Sequence, residues 1–473
     1  MKSFAAISAF LASMGVEAFK ANQYASSNGP FVGEHRNADV VEQETRSSHR
    51  TKLASIPDKY ETIVNQDYMT NRKSYADQMY ESVFGISQEE ETLKQVAQRK
   101  SGKFSKGRLG DFHRMDINRE SAADEARVYT AQIRMSDYIP FDVVVDTATD
   151  LFAIQGEACQ DCTNSKYSMD ETRIAEGKAT IDDFEARIPY GATLMEGKWA
   201  RDEVCLNSAF CFDTDFFLLS KDPGFDKYTE GIMGLARGNK KVVLNQSLSK
   251  ANSRSILNNM DVSEDYPSTF STRFSEQFGW IDFGSPSERE APVNQSVSLN
   301  IKDDFFWSLS NTGFRIGESE DLAFNYTSDP QAVFVGKGVY SILDTAAKDM
   351  LISTLWFEPM MDKLFESVGI RYAVSNGTVV ADCKAQYPSV YFDFDGYMLQ
   401  VKPQDYKFDT FFNNTVNEYC QFRFRPIDAP FNVIGMPIMF NYYIQYDFSE
   451  DAESPVMIHP DSSDRKPPIE KRT

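Results

Sequence analysis

The sequence predicts a mostly β protein with two pseudo-symmetric β lobes and a cleft between them. Two observations predict this fold. Short runs of β-branched and aromatic residues recur from about residue 128 onward, and one pair of sequence signals occurs twice along the chain. Such runs favour strands, and a repeated signal favours a duplicated unit. At 473 residues the chain is also long enough for two or three folded units.

Six runs that end in turn residues are the clearest strand predictions. They cover residues 128–133, 140–145, 216–219, 280–283, 389–394 and 442–448. The best helical patterns in the same part of the chain cover residues 245–255 and 349–368. Strand patterns outnumber helical ones, which is typical of a mostly β protein with minor helices.

The repeated signals are an Asp-Thr turn after an apolar run and, later, an apolar strand that ends in glycine. The first copy contains Asp146, Thr147 and Ala148 and the strand that ends at Gly234. The second copy contains Asp344, Thr345 and Ala346 and the strand that ends at Gly435. The spacing between turn and glycine is nearly equal in the two copies, so the sequence predicts two halves that arose by duplication of one lobe.

The positions of the histidines restrict the chemistry of the repeated region. All four lie outside it, at positions 35, 49, 113 and 459. A Ser–His–Asp triad, a Cys–His pair and a His-ligated zinc site are therefore excluded there. Two carboxylates brought together by a two-fold axis would share one proton and supply one base and one acid. A single aspartate of this kind more often stabilises a turn, and the matching partner is what favours catalysis by Asp146 and Asp344, without metal or cofactor.

These motifs resemble the pepsin family of aspartic proteases over residues of about 125–460. Besides the two Asp-Thr turns, the similar segments are residues 129–146, 188–197, 230–235, 280–284, 306–309, 387–394 and 432–439. The resemblance implies a bilobal pepsin-like acid protease fold and an aspartic endopeptidase. It implies that Asp146 and Asp344 are catalytic, with Thr147, Ala148, Thr345 and Ala346 supporting the turns. It also implies that a substrate-binding flap contains Tyr190, Gly191, Ala192 and Thr193.

The chain departs from the family pattern at four of these positions. Ala148 and Ala346 replace the glycine of the Asp-Thr/Ser-Gly turns, Thr193 replaces a flap glycine, and Phe152 stands at the cleft position of a tryptophan that hydrogen-bonds the flap tyrosine. An alanine with positive φ would be strained by about 1–2 kcal/mol, whereas one with negative φ would be tolerated. Two functions therefore stay open: an active endopeptidase, and a catalytically inactive pepsin-fold protein that binds peptides or proteins.

The chain has six cysteines, and its first residues, described below, predict a signal peptide. In a protein with a signal peptide, an even number of cysteines favours disulfides. Pairing of nearest neighbours gives Cys159–Cys162, Cys205–Cys211 and Cys383–Cys420, and the last pair stands where the family often has its second-lobe disulfide. Zinc binding at Cys159 and Cys162 is disfavoured because the sequence has no second CxxC motif and no histidine near them. Free or redox-active thiols are the remaining alternative.

The ends of the chain differ in composition from its centre. Residues 1–18, with a basic start, a short apolar run and small residues at the end, predict a signal peptide. Residues 19–115 predict a propeptide with a helix over 76–96 and a basic cluster over 99–108 that includes Lys100, Lys103 and Lys106. The alternative for this segment is a disordered arm. The rest divides into a first lobe over 116–288, a second lobe over 289–462 and a polar tail over 463–473.

Charge and apolar content limit the partners. A net charge of -21 argues against nucleic acid, whose phosphates would be repelled. No stretch after the signal peptide is apolar over the roughly 18 residues that a membrane anchor needs. We therefore predict a monomer in the secretory pathway, extracellular or in the lysosome or vacuole, whose partners are a peptide or protein substrate and its own propeptide. Five N-x-S/T sequons, at Asn245, Asn294, Asn325, Asn376 and Asn413, fit that compartment.

Overall fold

Strands form most of the described part of the chain, as the β-branched and aromatic runs predict. The computed structural model describes residues 113–118, 129–136, 140–162, 165–190, 193–207, 210–225, 229–237, 256–261, 268–275, 278–284, 296–302, 306–318, 323–325, 334–335, 338–375, 377–409, 419–449, 456–460 and 469–471. All of them belong to one compact unit, residues 55–473. Several predictions concern residues outside the described ranges. They are the signal peptide, the basic cluster, the helix over 76–96, the helix over 245–255 and four of the five sequons.

The first half of the described chain contains eleven strands and two short helices. The strands are β1 His113–Asn118, β2 Thr130–Met135, β3 Pro140–Asp146, β4 Phe152–Gln160, β5 Thr180–Ile181, β6 Ala186–Tyr190, β7 Thr193–Asn207, β8 Phe210–Lys221, β9 Gly231–Gly234, β10 Thr269–Phe274 and β11 Phe278–Phe283. The helices are α1 Glu171–Ala175 and α2 Ile256–Asp261.

The second half contains seventeen strands and three helices. The strands are β12 Val297–Leu299, β13 Ser308–Ile316, β14 Ala323–Asn325, β15 Phe334–Val335, β16 Gly338–Leu343, β17 Met350–Ser353, β18 Tyr372–Ser375, β19 Thr378–Asp382, β20 Val390–Phe394, β21 Tyr397–Val401, β22 Lys407–Asp409, β23 Tyr419–Phe422, β24 Phe424–Ile427, β25 Asn432–Ile434, β26 Tyr442–Asp447, β27 Val456–Pro460 and β28 Ile469–Lys471. The helices are α3 Thr354–Glu366, α4 Pro403–Tyr406 and α5 Met436–Met439.

All six predicted strands are present, and the predicted helix over 349–368 starts later than expected. Residues 350–353 form β17 instead, which pairs in parallel with β24 and antiparallel with β25. Helix α3 then begins at Thr354 and buries one apolar face that includes Trp356, Met360 and Leu364. Pairing with two neighbouring strands outweighs the local helical pattern at residues 350–353.

The strands form three sheets. A 14-stranded sheet has the main order β12-β27-β26-β10-β11-β1-β2-β3-β9-β4-β8-β7-β5, with β6 on β7. A 10-stranded sheet has the main order β24-β17-β25-β16-β13-β20-β21-β28, and a 4-stranded sheet has the order β18-β19-β23-β22. Three strands of the second half, β12, β26 and β27, join the first sheet beside β10. The predicted two-lobed, mostly β fold is confirmed, and its halves share one sheet.

The sequence repeat is visible in the strand pairing. In the first half β3 pairs in parallel with β9, and in the second half β16 pairs in parallel with β25. Only glycine fits at the end of each of these apolar strands, because a neighbouring backbone segment passes too close for a side chain. A Cβ on Gly234 would lie 2.5 Å from the backbone of Leu151, and one on Gly435 would lie 2.2 Å from that of Asp349. Each glycine strand therefore packs directly against the loop that follows an Asp-Thr turn.

Aromatic side chains fill the core where the halves meet. The rings of Phe270 and Tyr446 stack with centroids 4.6 Å apart, and Trp307 packs edge-on against Tyr446 at 5.1 Å. The Trp307 indole N–H also donates to the backbone oxygen of Leu235 at 2.7 Å. Burial of these large rings, with the indole hydrogen bond satisfied, stabilises the junction of the two halves.

The three predicted cysteine pairs lie at disulfide distance. The S–S distances are 1.91 Å for Cys159–Cys162, 2.01 Å for Cys205–Cys211 and 1.98 Å for Cys383–Cys420. Cys205 and Cys211 face each other across β7 and β8, so this pair cross-links a hairpin as expected. Each pair stays within one half of the chain.

One predicted domain limit falls on a strand, and the predicted polar tail contains another strand. Strand β1, with Met115 and Ile117 buried, lies between β11 and β2 and contains the boundary predicted between residues 115 and 116. In the predicted polar tail, residues 469–471 form β28, which pairs with β21 at the edge of the 10-stranded sheet. None of the described helices has the length and apolar character needed to span a bilayer.

The buried His459 has an unusual environment for a basic side chain. It is 2% exposed on β27, where its Nδ1 lies 2.5 Å from the Ser296 hydroxyl and its ring packs near Tyr443. Burial lowers the pKa of His459 to about 4. The unfolded chain binds this proton more readily, so the contribution of His459 to stability is present above pH 6.5 and is lost as the pH falls through 4.

We expect His459→Phe to reduce the loss of stability on acidification. Between pH 7 and pH 4 the wild-type chain should lose about 3 kcal/mol more free energy of unfolding than the variant, because only the wild type must keep a buried imidazole neutral. Denaturant unfolding at several pH values measures this difference. Ser296→Ala, which keeps the imidazole, should retain the wild-type pH dependence. Equal pH dependence in His459→Phe and wild type would contradict the expectation.

Candidate active site at the paired Asp-Thr turns

Asp146 and Asp344 occupy equivalent places at the ends of β3 and β16. Both are almost completely buried, at 1% and 0% exposed. In each turn the backbone N–H of the alanine two residues later donates to Oδ1 of the aspartate, at 2.8 Å from Ala148 and at 2.8 Å from Ala346. The backbone N–H of Ala347 donates to the same oxygen of Asp344 at 3.1 Å. Backbone donors therefore orient both carboxyl groups.

The threonines after the two aspartates bind each other, in an arrangement called here the threonine cross. The backbone N–H of Thr147 donates to the Thr345 hydroxyl, and that of Thr345 donates to the Thr147 hydroxyl, both at 3.1 Å. Each hydroxyl also donates to a backbone oxygen of the opposite half, at 2.9 Å to Leu343 and at 2.7 Å to Val145. The threonine cross holds the two Asp-Thr turns next to each other.

The predicted flap tyrosine contacts the first aspartate. Tyr190 lies at the end of β6, in the β6–β7 hairpin, and its hydroxyl donates to Oδ2 of Asp146 at 2.8 Å. Gly191 and Ala192 lie outside the described residues, and Thr193 pairs with Tyr190 through its backbone. The hairpin therefore places a tyrosine hydroxyl on one of the two candidate catalytic carboxyls.

Burial dominates the electrostatics of the first turn. It raises the pKa of Asp146 above the ordinary value, and hydrogen bonds from Ala148, Tyr190 and Thr149 offset part of that rise. Burial also raises the pKa of the neighbouring Asp150 to about 6. A carboxyl that keeps its proton in a mildly acidic medium can act as a general acid there.

The alanines at the turns are not strained by their backbone conformation. Among the described residues other than glycine, only Asp161 and Asp395 have positive φ. Ala148 and Ala346 therefore adopt conformations that suit any L-residue. The replacement of glycine by alanine also leaves both backbone N–H donors in place.

Phe152, expected at the cleft, is fully buried. Its ring centroid lies 6.0 Å from that of Phe216, and it belongs to the main apolar core. Burial of an aromatic ring without a polar atom is favourable, because it removes apolar surface from water. Phe152 therefore supports the loop after Asp146 from inside the first half.

Several residues near the turns were missed by the sequence analysis. Ala347 could have been found from the repeat, because it follows the second Asp-Thr-Ala directly. Phe306 and Tyr446 lie in segments that the sequence analysis singled out, but no local signal placed them, or Ile342, beside the turns. Burial raises the pKa of Tyr446, and the negative charge of Asp344 raises it further. The Tyr446 hydroxyl therefore interacts electrostatically with the Asp344 carboxyl.

We expect Thr147→Val to destabilise the fold strongly. The variant keeps the side-chain shape but leaves the buried Leu343 oxygen and Thr345 N–H without this hydroxyl, which should lower the free energy of unfolding by about 3 kcal/mol. Denaturant unfolding measures the loss. Thr149→Val is the matched control, because its partly exposed hydroxyl accepts from Leu151 N–H at 3.2 Å, within the same half of the chain. Similar losses in both variants would refute a special role for the threonine cross.

Comparison with known proteins identifies the family. No curated protein sequence matches the chain. The model of the eukaryotic aspartyl protease family matches residues 129–454, which is more than half of the 473 residues. The matched range includes both Asp-Thr turns and Tyr190, and it confirms the resemblance drawn from the sequence. The chain therefore belongs to the eukaryotic aspartyl protease family.

Proposed function

We propose that this protein is an aspartic endopeptidase in which Asp146 and Asp344 share one proton and activate a water molecule. The observation that carries the proposal is the threonine cross, which holds two buried aspartates on adjacent, matching turns. Two close buried carboxyls cannot both ionise at low cost, so one acts as base and the other as acid. Membership of the aspartyl protease family supports the same chemistry.

The reaction needs only groups that the site contains, with water and a peptide. The ionised carboxyl accepts a proton from water, whose oxygen attacks the carbonyl carbon of the peptide bond. The protonated carboxyl donates its proton to the carbonyl oxygen, giving a neutral tetrahedral diol. The leaving nitrogen then takes a proton from the carboxyl that first acted as base, the C–N bond breaks, and the second diol hydroxyl returns its proton to the other carboxyl.

Tyr190 has two proposed roles in this cycle. In the structure its hydroxyl occupies one hydrogen-bonding position on Oδ2 of Asp146. A carboxylate oxygen can accept a second hydrogen bond, so water can reach the same oxygen, and we propose that the β6–β7 hairpin moves to admit a peptide. Once a peptide is bound, the tyrosine, Gly191, Ala192 and Thr193 would cover it as a flap.

We expect Asp146→Asn and Asp344→Asn each to abolish cleavage. Either amide removes a group that must gain and lose a proton, so kcat should fall by at least about 10³-fold. The assay is pepstatin-sensitive cleavage of a denatured protein at mildly acidic pH, after acid treatment of the purified chain.

Two controls sharpen this experiment. Asp183→Asn changes an exposed carboxyl outside the turns and should keep wild-type activity. Tyr190→Phe keeps both aspartates and should retain reduced, measurable activity. A wild-type chain that binds pepstatin but cleaves nothing would favour the alternative function, a pepsin-fold protein that binds peptides or proteins.

We further propose that the protein is made as a zymogen in the secretory pathway. Three cysteine pairs at disulfide distance support an oxidising compartment, extracellular or in the lysosome or vacuole. The basic cluster over 99–108 would complement the negative charge that the proton-sharing pair carries at neutral pH. Acidification weakens this attraction and would release the segment.

The position of β1 limits where such a propeptide ends. Because β1 pairs with both β11 and β2 and buries Met115 and Ile117, its removal would break the first sheet. We expect acid treatment to produce activity together with loss of an N-terminal piece that ends between residues 99 and 112. Mass spectrometry of the processed chain measures the new N-terminus. Full activity and normal yield from a chain that starts at residue 119 would contradict this expectation.

A further inference from the structure

The methyl group of Ala148 lies in an apolar contact between the two halves. Ala148 is 4% exposed and packs in one small apolar cluster with Phe306 and Ile342, which belong to the second half of the chain. Tyr340 and Phe431 pack against the same cluster, with their rings edge to face at 6.4 Å. A glycine in place of Ala148 would contribute no side chain to this contact.

The same residue holds the first aspartate through its backbone. The Ala148 N–H donates to Oδ1 of Asp146 at 2.8 Å, so the direction of that donor depends on how the peptide unit of Ala148 is fixed. The threonine cross fixes the chain at Thr147, one residue earlier. The methyl contact adds a second attachment to the opposite half at the donor residue itself.

Ala346, the counterpart in the second turn, has a different environment. Its N–H donates to Oδ1 of Asp344 at the same distance, 2.8 Å. Its side chain, however, is partly exposed and belongs to none of the apolar clusters formed by the described residues. Each aspartate also has a second backbone donor three residues later, Thr149 for Asp146 and Ala347 for Asp344. The two alanines are alike in sequence and in their hydrogen bond, and they differ in what their methyl groups contact.

We propose that Ala148 is a positioning residue, whose methyl group anchors the first Asp-Thr turn against the second half and so keeps its N–H directed at Asp146. The proposal rests on the endopeptidase function proposed above. Alanine in this turn is then a functional adaptation of the chain. Glycine would remove the apolar contact and would also widen the conformational range of the donor peptide.

The test compares Ala148→Gly with Ala346→Gly in the full chain after acid activation. Both variants introduce the same backbone freedom, so the difference between them isolates the methyl contact. Because small misplacements of a catalytic group have large effects, kcat/KM should fall by about tenfold more in Ala148→Gly than in Ala346→Gly. Its melting temperature should also fall further.

The pH profile separates positioning from a general loss of stability. A looser N–H donor stabilises the ionised form of Asp146 less well, so the acid limb of the kcat/KM profile should move to higher pH in Ala148→Gly. A variant that is only less stable would keep the wild-type profile at a temperature where it is folded. Equal profiles, equal losses in both glycine variants, or a gain of activity in Ala148→Gly would each overturn the proposal.

A double-mutant cycle with Ile342→Val tests the contact itself. The substitution removes one methyl group from the cluster and should leave the fold intact. If Ala148 acts through this cluster, Ala148→Gly should cost less in the Ile342→Val background than in the wild type, in melting temperature and in kcat/KM. Additive effects would overturn the proposal. A wild-type chain without pepstatin-sensitive cleavage would instead overturn the endopeptidase function, while coupled melting temperatures would still report the anchor.

Discussion

The reciprocal hydrogen bonds between Thr147 and Thr345 are the constraint on which the rest of the site depends. They join residues 198 positions apart in the sequence. Each hydroxyl accepts from one backbone N–H of the other half and donates to one backbone oxygen of the other half. This pattern forms only if the two turns have the same shape, so duplication of the turn is what allows the two Asp-Thr turns to lie next to each other.

The residues around the threonine cross make the two turns unequal. Tyr190 donates to Asp146, whereas a second backbone donor, Thr149 for Asp146 and Ala347 for Asp344, is common to both turns. Ala148 is packed against the second half, whereas Ala346 is partly exposed. Carboxyls with different hydrogen-bond donors differ in how strongly they hold a proton. Symmetry therefore brings the two turns together, and the local departures from symmetry give the two carboxyls different surroundings.

The sequence predicted the features that leave a local or repeated pattern. The strands, the two Asp-Thr turns, the required glycines and the cysteine pairs all follow from residue type and spacing. The contact of Tyr190 with Asp146 and the packing of Ala148 against Phe306 and Ile342 could not be predicted, because they depend on how distant segments meet. The start of helix α3 was also misplaced, since pairing of β17 with two neighbouring strands leaves no trace in the local pattern.

The half-buried Asp150 and the buried His459 oppose each other in their effect on stability. The pKa of Asp150 is raised to about 6, so its contribution to stability is present below pH 3.8 and is lost as the pH rises through 6. The pKa of His459 is lowered to about 4, so its contribution is lost as the pH falls from 6.5 through 4. Each loss amounts to about 3 kcal/mol, and because the two run in opposite directions their sum changes little between about pH 3 and 7. Asp150, in the loop after Asp146, and His459, on the shared sheet, therefore offset each other's effect on the pH dependence of stability.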